Sequence, residues 1–191
     1  SRPANWFTDY RASYTNYDWR LISITGTMGT VGRVLIYLGE PGAMYVDDLS
    51  LVVGTNAGVG SNWIRNGDFE APLLDDPPLT NSFFVPTNYT NTAISTEIKH
   101  SGNSSLHMVA SVAGTTLNRI LYQNLSPAPP NTTVCTLSFW YLPTTNANNL
   151  NVRIQSSSMT SLTSVQPNFV PSLLYATPGS NNVTPVKNLR A

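Results

Sequence analysis

The stretch V-C-T-L-S-F-W-Y-L, Val134 to Leu142, decides the fold. It is nine residues of aliphatic, aromatic and β-branched side chains with no charge, which fits a pleated, half-buried strand. Phe139 and Tyr141 share one face. Ser138, Trp140 and Leu142 share the other. One set must be core, and the reading places Trp140 there. Outward from this strand the same signal recurs. Arg20 to Thr25 alternates. Arg33 to Leu38 follows a Gly-rich turn, and Ala43 to Val53 follows the tight turn G-E-P-G, so these three read as a meander. Ala93 to Lys99, Ser105 to Ser111, Arg119 to Leu125 and Leu150 to Gln155 complete the set. No helical period of ten residues or more is present. Many short strands with Gly/Pro turns mean an all-β fold, a sandwich or a barrel; of the two, the antiparallel β-sandwich is the expectation.

Composition narrows the classes. Charged residues are 10% of the 191, against about 25% in an average soluble protein. Asn, Thr and Ser together number 62, and there are two Lys and three Glu. Ten basic and ten acidic residues cancel. There is no basic surplus for nucleic acid, no apolar run of the roughly 20 residues that span a bilayer, and too much apolar content for a disordered chain. A single cysteine, Cys135, rules out an internal disulfide framework and a cysteine-only zinc cage. This Asn/Thr-rich, weakly charged composition points outside the cell. With no initiator Met and no signal stretch at Ser1, the chain reads as a mature form or a piece of a longer one. N-x-S/T sequons stand at Asn88, Asn103, Asn124, Asn131 and Asn182.

The uncharged run G-T-N-A-G-V-G divides the chain. Residues 1–54 form one part, 55–60 a linker, and 61–191 a second part that ends in a Ser/Pro/Asn-rich tail from residue 156. Five segments carry a resemblance: M-Y-V-D-D-L-S-L (Met44 to Leu51), N-G-D-F-E (Asn66 to Glu70), H-S-G-N-S-S-L-H (His100 to His107), Y-Q-N-L (Tyr122 to Leu125) and T-L-S-F-W-Y-L (Thr136 to Leu142). Together they resemble the galactose-binding-like jelly rolls among the carbohydrate-binding modules of secreted bacterial proteins. In that family N-G-D-F-E opens the module and V-D-D-L-S-L closes it. Here the order is reversed. Residues 1–54 then either end one copy of a tandem array, belong to a permuted module, or complete the sheet of a neighbouring chain and so build a head-to-tail polymer.

The resemblance implies a structural calcium held by Glu70, possibly Asp68, and Asp47 or Asp48, with carbonyls near His100 to Asn103. Calcium takes six to eight oxygens, carboxylates among them. Asp47 and Asp48 are strand neighbours pointing to opposite faces, so only one is expected to be a ligand. The family's aromatic after the opening loop is here F-F-V-P (Phe83 to Pro86), which keeps packing and lacks an indole donor. Sugar sites place aromatic platforms beside amides and charged groups. The candidates are Trp19, Tyr89, Tyr141, Asn148 and Arg153, with Trp6, Trp140, Asn146 and Asn149 behind them. Catalysis is not expected. His107 reads as a strand residue, His100 as part of a turn, Cys135 as buried, and no carboxylate pair is spaced for glycoside hydrolysis. The expected function is a non-catalytic extracellular module that binds a polysaccharide or glycan. The alternative is a structural subunit that polymerises with neighbouring copies by strand complementation.

Overall fold

The computed structural model describes residues 19–73, 83–144 and 150–155, and the backbone of 160–163. Among the described residues nine strands form two antiparallel sheets. The five-stranded sheet runs β1 (Arg20–Thr27), β7 (Val134–Pro143), β3 (Gly42–Val53), β5 (Ser105–Ala110), β4 (Ala93–Ser95). The four-stranded sheet runs β6 (Leu121–Asn124), β2 (Arg33–Leu38), β8 (Leu150–Ile154), β9 (Thr160–Thr163). The chain is a β-sandwich. Among the described residues no helix is long and apolar enough to cross a membrane.

The sandwich core is one cluster between the sheets. Val34, Ile36 and Leu38 of β2 meet Met44, Val46, Leu49 and Leu51 of β3 and Leu137, Phe139 and Tyr141 of β7. Period-two alternation fixes which residues go inward. On β7 it is Phe139 and Tyr141 that face the core, so Trp140 faces out, the reverse of the sequence reading. The partners decide this. Ile22 and Ile24 of β1 lie in register with Phe139 and Leu137, and all of them face the core cluster.

The first three strands do not form a meander. β1 and β3 lie in one sheet with β7 between them, and β2 lies in the other. The apolar faces of β2 and β3 pack on each other, which requires facing sheets rather than side-by-side pairing. The short G-E-P turn is therefore an arch between layers. Strand β2 instead pairs with β6 and β8, and β3 with β5 and β7. Residues 20–53 thus pair with residues 105–154 of the same chain.

Residues 54–60 are a surface turn, and the chain beyond it returns alongside β3. The Asn62 side chain accepts hydrogen bonds from Leu51 N (2.9 Å) and Ile64 N (3.0 Å) and donates to Leu49 O (2.9 Å). Trp63 N donates to Leu51 O and Leu49 N to Gly67 O. The strand β9 falls in the stretch read as tail.

Candidate functional site

Three of the resembling segments meet at one loop, His100 to Ser104. Strand β3 carries a bulge between Asp47 and Ser50, with Asp48 at φ 50°. The bulge breaks strand alternation, so Asp47 and Asp48 turn to the same loop instead of to opposite faces. Asp47 is wholly buried. It accepts hydrogen bonds from His100 N (2.9 Å), Ser101 N (3.1 Å) and Asp48 N (2.8 Å). Burial raises the Asp47 pKa, against the pull of those three N–H groups. The Asp48 carboxylate meets His100 Nδ1 at 2.6 Å and accepts the Ser101 hydroxyl at 2.7 Å. His100 stacks on Trp140 at 3.9 Å, and Trp19 meets its edge at 5.7 Å.

Glu70 grips the far end of the loop, accepting Asn103 N (2.7 Å), Ser104 N (3.0 Å) and Asn103 Nδ2 (3.1 Å). Ser104 Oγ in turn donates to Phe69 O. Gly102, at φ 58°, is the residue the Glu70 carboxylate passes over, and a Cβ there would overlap it. Asp68 is exposed, with only a 3.5 Å contact from Glu70 N. The loop thus turns N–H groups toward Asp47 and Glu70, not the carbonyl oxygens that a calcium cage needs. Among the described residues no group of three or more His, Cys, Asp or Glu is gathered for a metal. The arrangement is a hydrogen-bonded latch, in which the Asp47 and Glu70 carboxylates are engaged by N–H donors.

The latch has a pH signature. The Asn103 and Ser104 backbone N–H bonds hold the Glu70 pKa below its ordinary value. A depressed folded pKa contributes stability that is present above the ordinary carboxylate range and lost as pH falls through the lowered value. Asp47, with its raised pKa, works in the opposite sense. Thermal melts of the wild type and of Glu70→Gln from pH 7 to pH 3 should show the wild type losing more on acidification than the variant. Parallel curves would mean that Glu70 does not hold the loop.

Above this latch, on the outside of the five-stranded sheet, is an open cavity of about 390 Å³. Leu21, Ser50, Ser138 and Trp140 line it, with Asp48 and Asp68 at its walls. Two of its polar side chains are engaged: Asp48 by His100 and Ser101, Asn62 by β3. One ring face of Trp140 is covered by His100.

The outer face of the four-stranded sheet is different. In register across it lie Asn124 with Arg33, then Tyr122, Leu35 and Arg153, then Tyr37 with Asn151. Gln155 N donates to Arg33 O, which sets Gln155 beside Arg33. Phe84 stacks on Tyr122 at 4.9 Å. The Arg33 guanidinium lies 4.8 Å from the Tyr122 ring centre and donates from Nε to Asn124 Oδ1 at 2.7 Å. The Arg153 guanidinium lies 5.8 Å from the ring centre of Tyr37. Leu35, outside the core cluster, is only 1% exposed among them. Arg153 Nε and Gln155 Oε1 are shut from water with no hydrogen-bond partner. Unpaired buried polar groups are costly, about 1–3 kcal/mol each, and their presence asks for an explanation.

Of the residues expected to bind sugar, Arg153 is on this face. Tyr141 is not available: it is 6% exposed, in the core. Tyr89 is also wholly buried, and its hydroxyl accepts Leu38 N at 2.8 Å. Burial raises its pKa to about 12. Both rings are packing residues, because the strand and the 3₁₀ turn that carry them point them inward. Trp19 is half-buried against His100, with its Nε1 buried and unpartnered. Asn148, and with it Trp6, Asn146 and Asn149, lies outside the described residues. The Asn88 sequon amide is buried and donates to Val112 O and Arg119 O, which makes it a structural residue. Tyr37, Tyr122, Phe84 and Arg33 went unnoticed as a set. Only the β2 part of the set is visible in the sequence, in the alternation that puts Arg33, Leu35 and Tyr37 on one face.

Comparison with known proteins finds no matching family model, curated protein or solved structure.

Proposed function

We propose that this sandwich is a jelly roll of the galactose-binding-like kind, acting as a non-catalytic carbohydrate-binding module in a secreted or cell-surface setting. The observation that carries the reading is the half-buried array of Tyr122, Arg33 and Arg153 on the outer side of the four-stranded sheet, with Phe84 bridged to Tyr122 and Tyr37 packed partly against the core beside Arg153. The C–H faces of a sugar suit aromatic rings, and its hydroxyls suit amides and guanidinium groups held at fixed spacing. Arg33 and Tyr37, four residues apart on β2, span about 13 Å, the reach of an oligosaccharide rather than a single sugar. The pairing of residues 20–53 within their own chain also favours a binding module. The polymer reading needs those strands as donors to a neighbour.

Isothermal titration of the full chain against a panel of soluble polysaccharides tests this. At least one polymer should bind. Tyr37→Ala and Tyr122→Ala should each weaken it about tenfold, as expected where an aromatic anchor is removed. Leu21→Ala, a change at a half-exposed residue on the opposite sheet, should leave affinity unchanged. No binding to any polymer, or equal loss from Leu21→Ala, would overturn the proposal.

A further inference from the structure

The acidic residues Asp47, Asp48, Asp68 and Glu70 belong to the bulge of β3 and the turn beside it, on the five-stranded side. The outer face of the four-stranded sheet carries Arg33 and Arg153, and among the described residues neither has a carboxylate within ion-pair reach. From their register they stand diagonally on neighbouring strands, with Cα atoms about 7–8 Å apart. Two guanidiniums so close, with no carboxylate partner among the described residues, build a positive potential over the face.

The two arginines are also only partly used. Arg33 spends Nε on Asn124 and rests on Tyr122, leaving its terminal amino groups without a partner among the described residues. Arg153 lies by the Tyr37 ring, and its Nε is buried with no acceptor. The Nε and Nη of a guanidinium form the edge that takes two oxygens of one oxyanion at once. A neutral hydroxyl would satisfy one donor and leave the charge unanswered. Gln155 Oε1, the buried orphan beside Arg153 on β8's outer side, is an acceptor and suits a hydroxyl.

Building on the carbohydrate-binding reading, we infer that the ligand is an anionic polysaccharide, whose sugar-borne carboxylate or sulfate sits on Arg153 and Arg33 while the adjoining ring lies on Tyr37 or Tyr122. The face selects the anion through a paired charge in a setting already partly closed to water, where such bonds are stronger than at an open surface.

The test compares polygalacturonate with the same polymer after carboxyl reduction, and dextran sulfate with dextran, by titration of the full chain. Binding to at least one anionic polymer should be about tenfold or more tighter than to its neutral counterpart, and it should weaken as sodium chloride is raised. Which pair shows the difference separates carboxylate from sulfate. Arg153→Gln and Arg33→Gln should each erase most of it, with melting temperature unchanged. Arg153→Lys, which keeps the charge and loses the fork, should recover only part. Equal binding to charged and neutral polymers would overturn this inference and leave the carbohydrate reading standing. No binding to any of the four, with none in the wider panel, would overturn both. A preference for anions that survives both arginine changes would move the site off this face.

Discussion

Asp47→Ala should destabilise the fold by about 3–5 kcal/mol, a large part of the 5–15 kcal/mol a domain of this kind has to lose. The reason is the three backbone N–H groups, of His100, Ser101 and Asp48, that this one buried carboxylate satisfies. Alanine leaves all three in a site that excludes water. Asp47→Asn keeps one acceptor oxygen and should cost distinctly less. Urea unfolding of the two variants and the wild type reads the difference directly. A loss below about 1 kcal/mol for the alanine variant would mean that the His100–Ser104 loop takes water at this point and is not latched.

Gly67→Ala should cost about 3 kcal/mol, at the upper end of what overpacking does. Gly67 accepts the Leu49 N hydrogen bond, and a Cβ on it would overlap the Leu49 carbonyl oxygen. That neighbour is backbone in the bulge of β3, so it cannot swing aside as a side chain would. Relief requires separating the 66–70 turn from β3, which also draws Phe69 from the core and Glu70 from its loop. Denaturant unfolding should show the loss. The pH dependence of Gly67→Ala should also shrink toward that of Glu70→Gln. A Gly67→Ala protein as stable as wild type would mean the turn does not lie against β3.

These two residues explain the motifs better than ligand chemistry does. In N-G-D-F-E, Asn66 tolerates φ 51° and closes the turn through both hydrogen bonds to Ala71, Gly67 admits β3, Phe69 fills the core and Glu70 holds the loop. The strands themselves were legible because alternation is a local signal, and β2 runs over the same residues as its sequence reading, Arg33 to Leu38. What was not legible depended on partners far away in the chain. Asp47 and Asp48 were assigned to opposite faces because a bulge leaves no mark in local periodicity. Trp140 and Phe139 could not be told apart until β1 and β3 were in place beside them. The meander failed because a short Gly/Pro turn serves a hairpin and an arch equally well. The arginine–aromatic face was hidden for the same reason. Arg33, Tyr122 and Arg153 are far apart in sequence, and only the β6–β2–β8 pairing assembles them.

The place of β3 at the heart of the five-stranded sheet bears on how the protein is made. A ribosome releases Gly42–Val53 before either of its neighbours, β5 and β7, and β7 ends only at Pro143. At about 5–20 residues per second, this central strand waits on the order of ten seconds for its second partner. It is a strand with two bare edges until β5 emerges and with one until β7 does, so the nascent chain needs a chaperone's shelter over that interval.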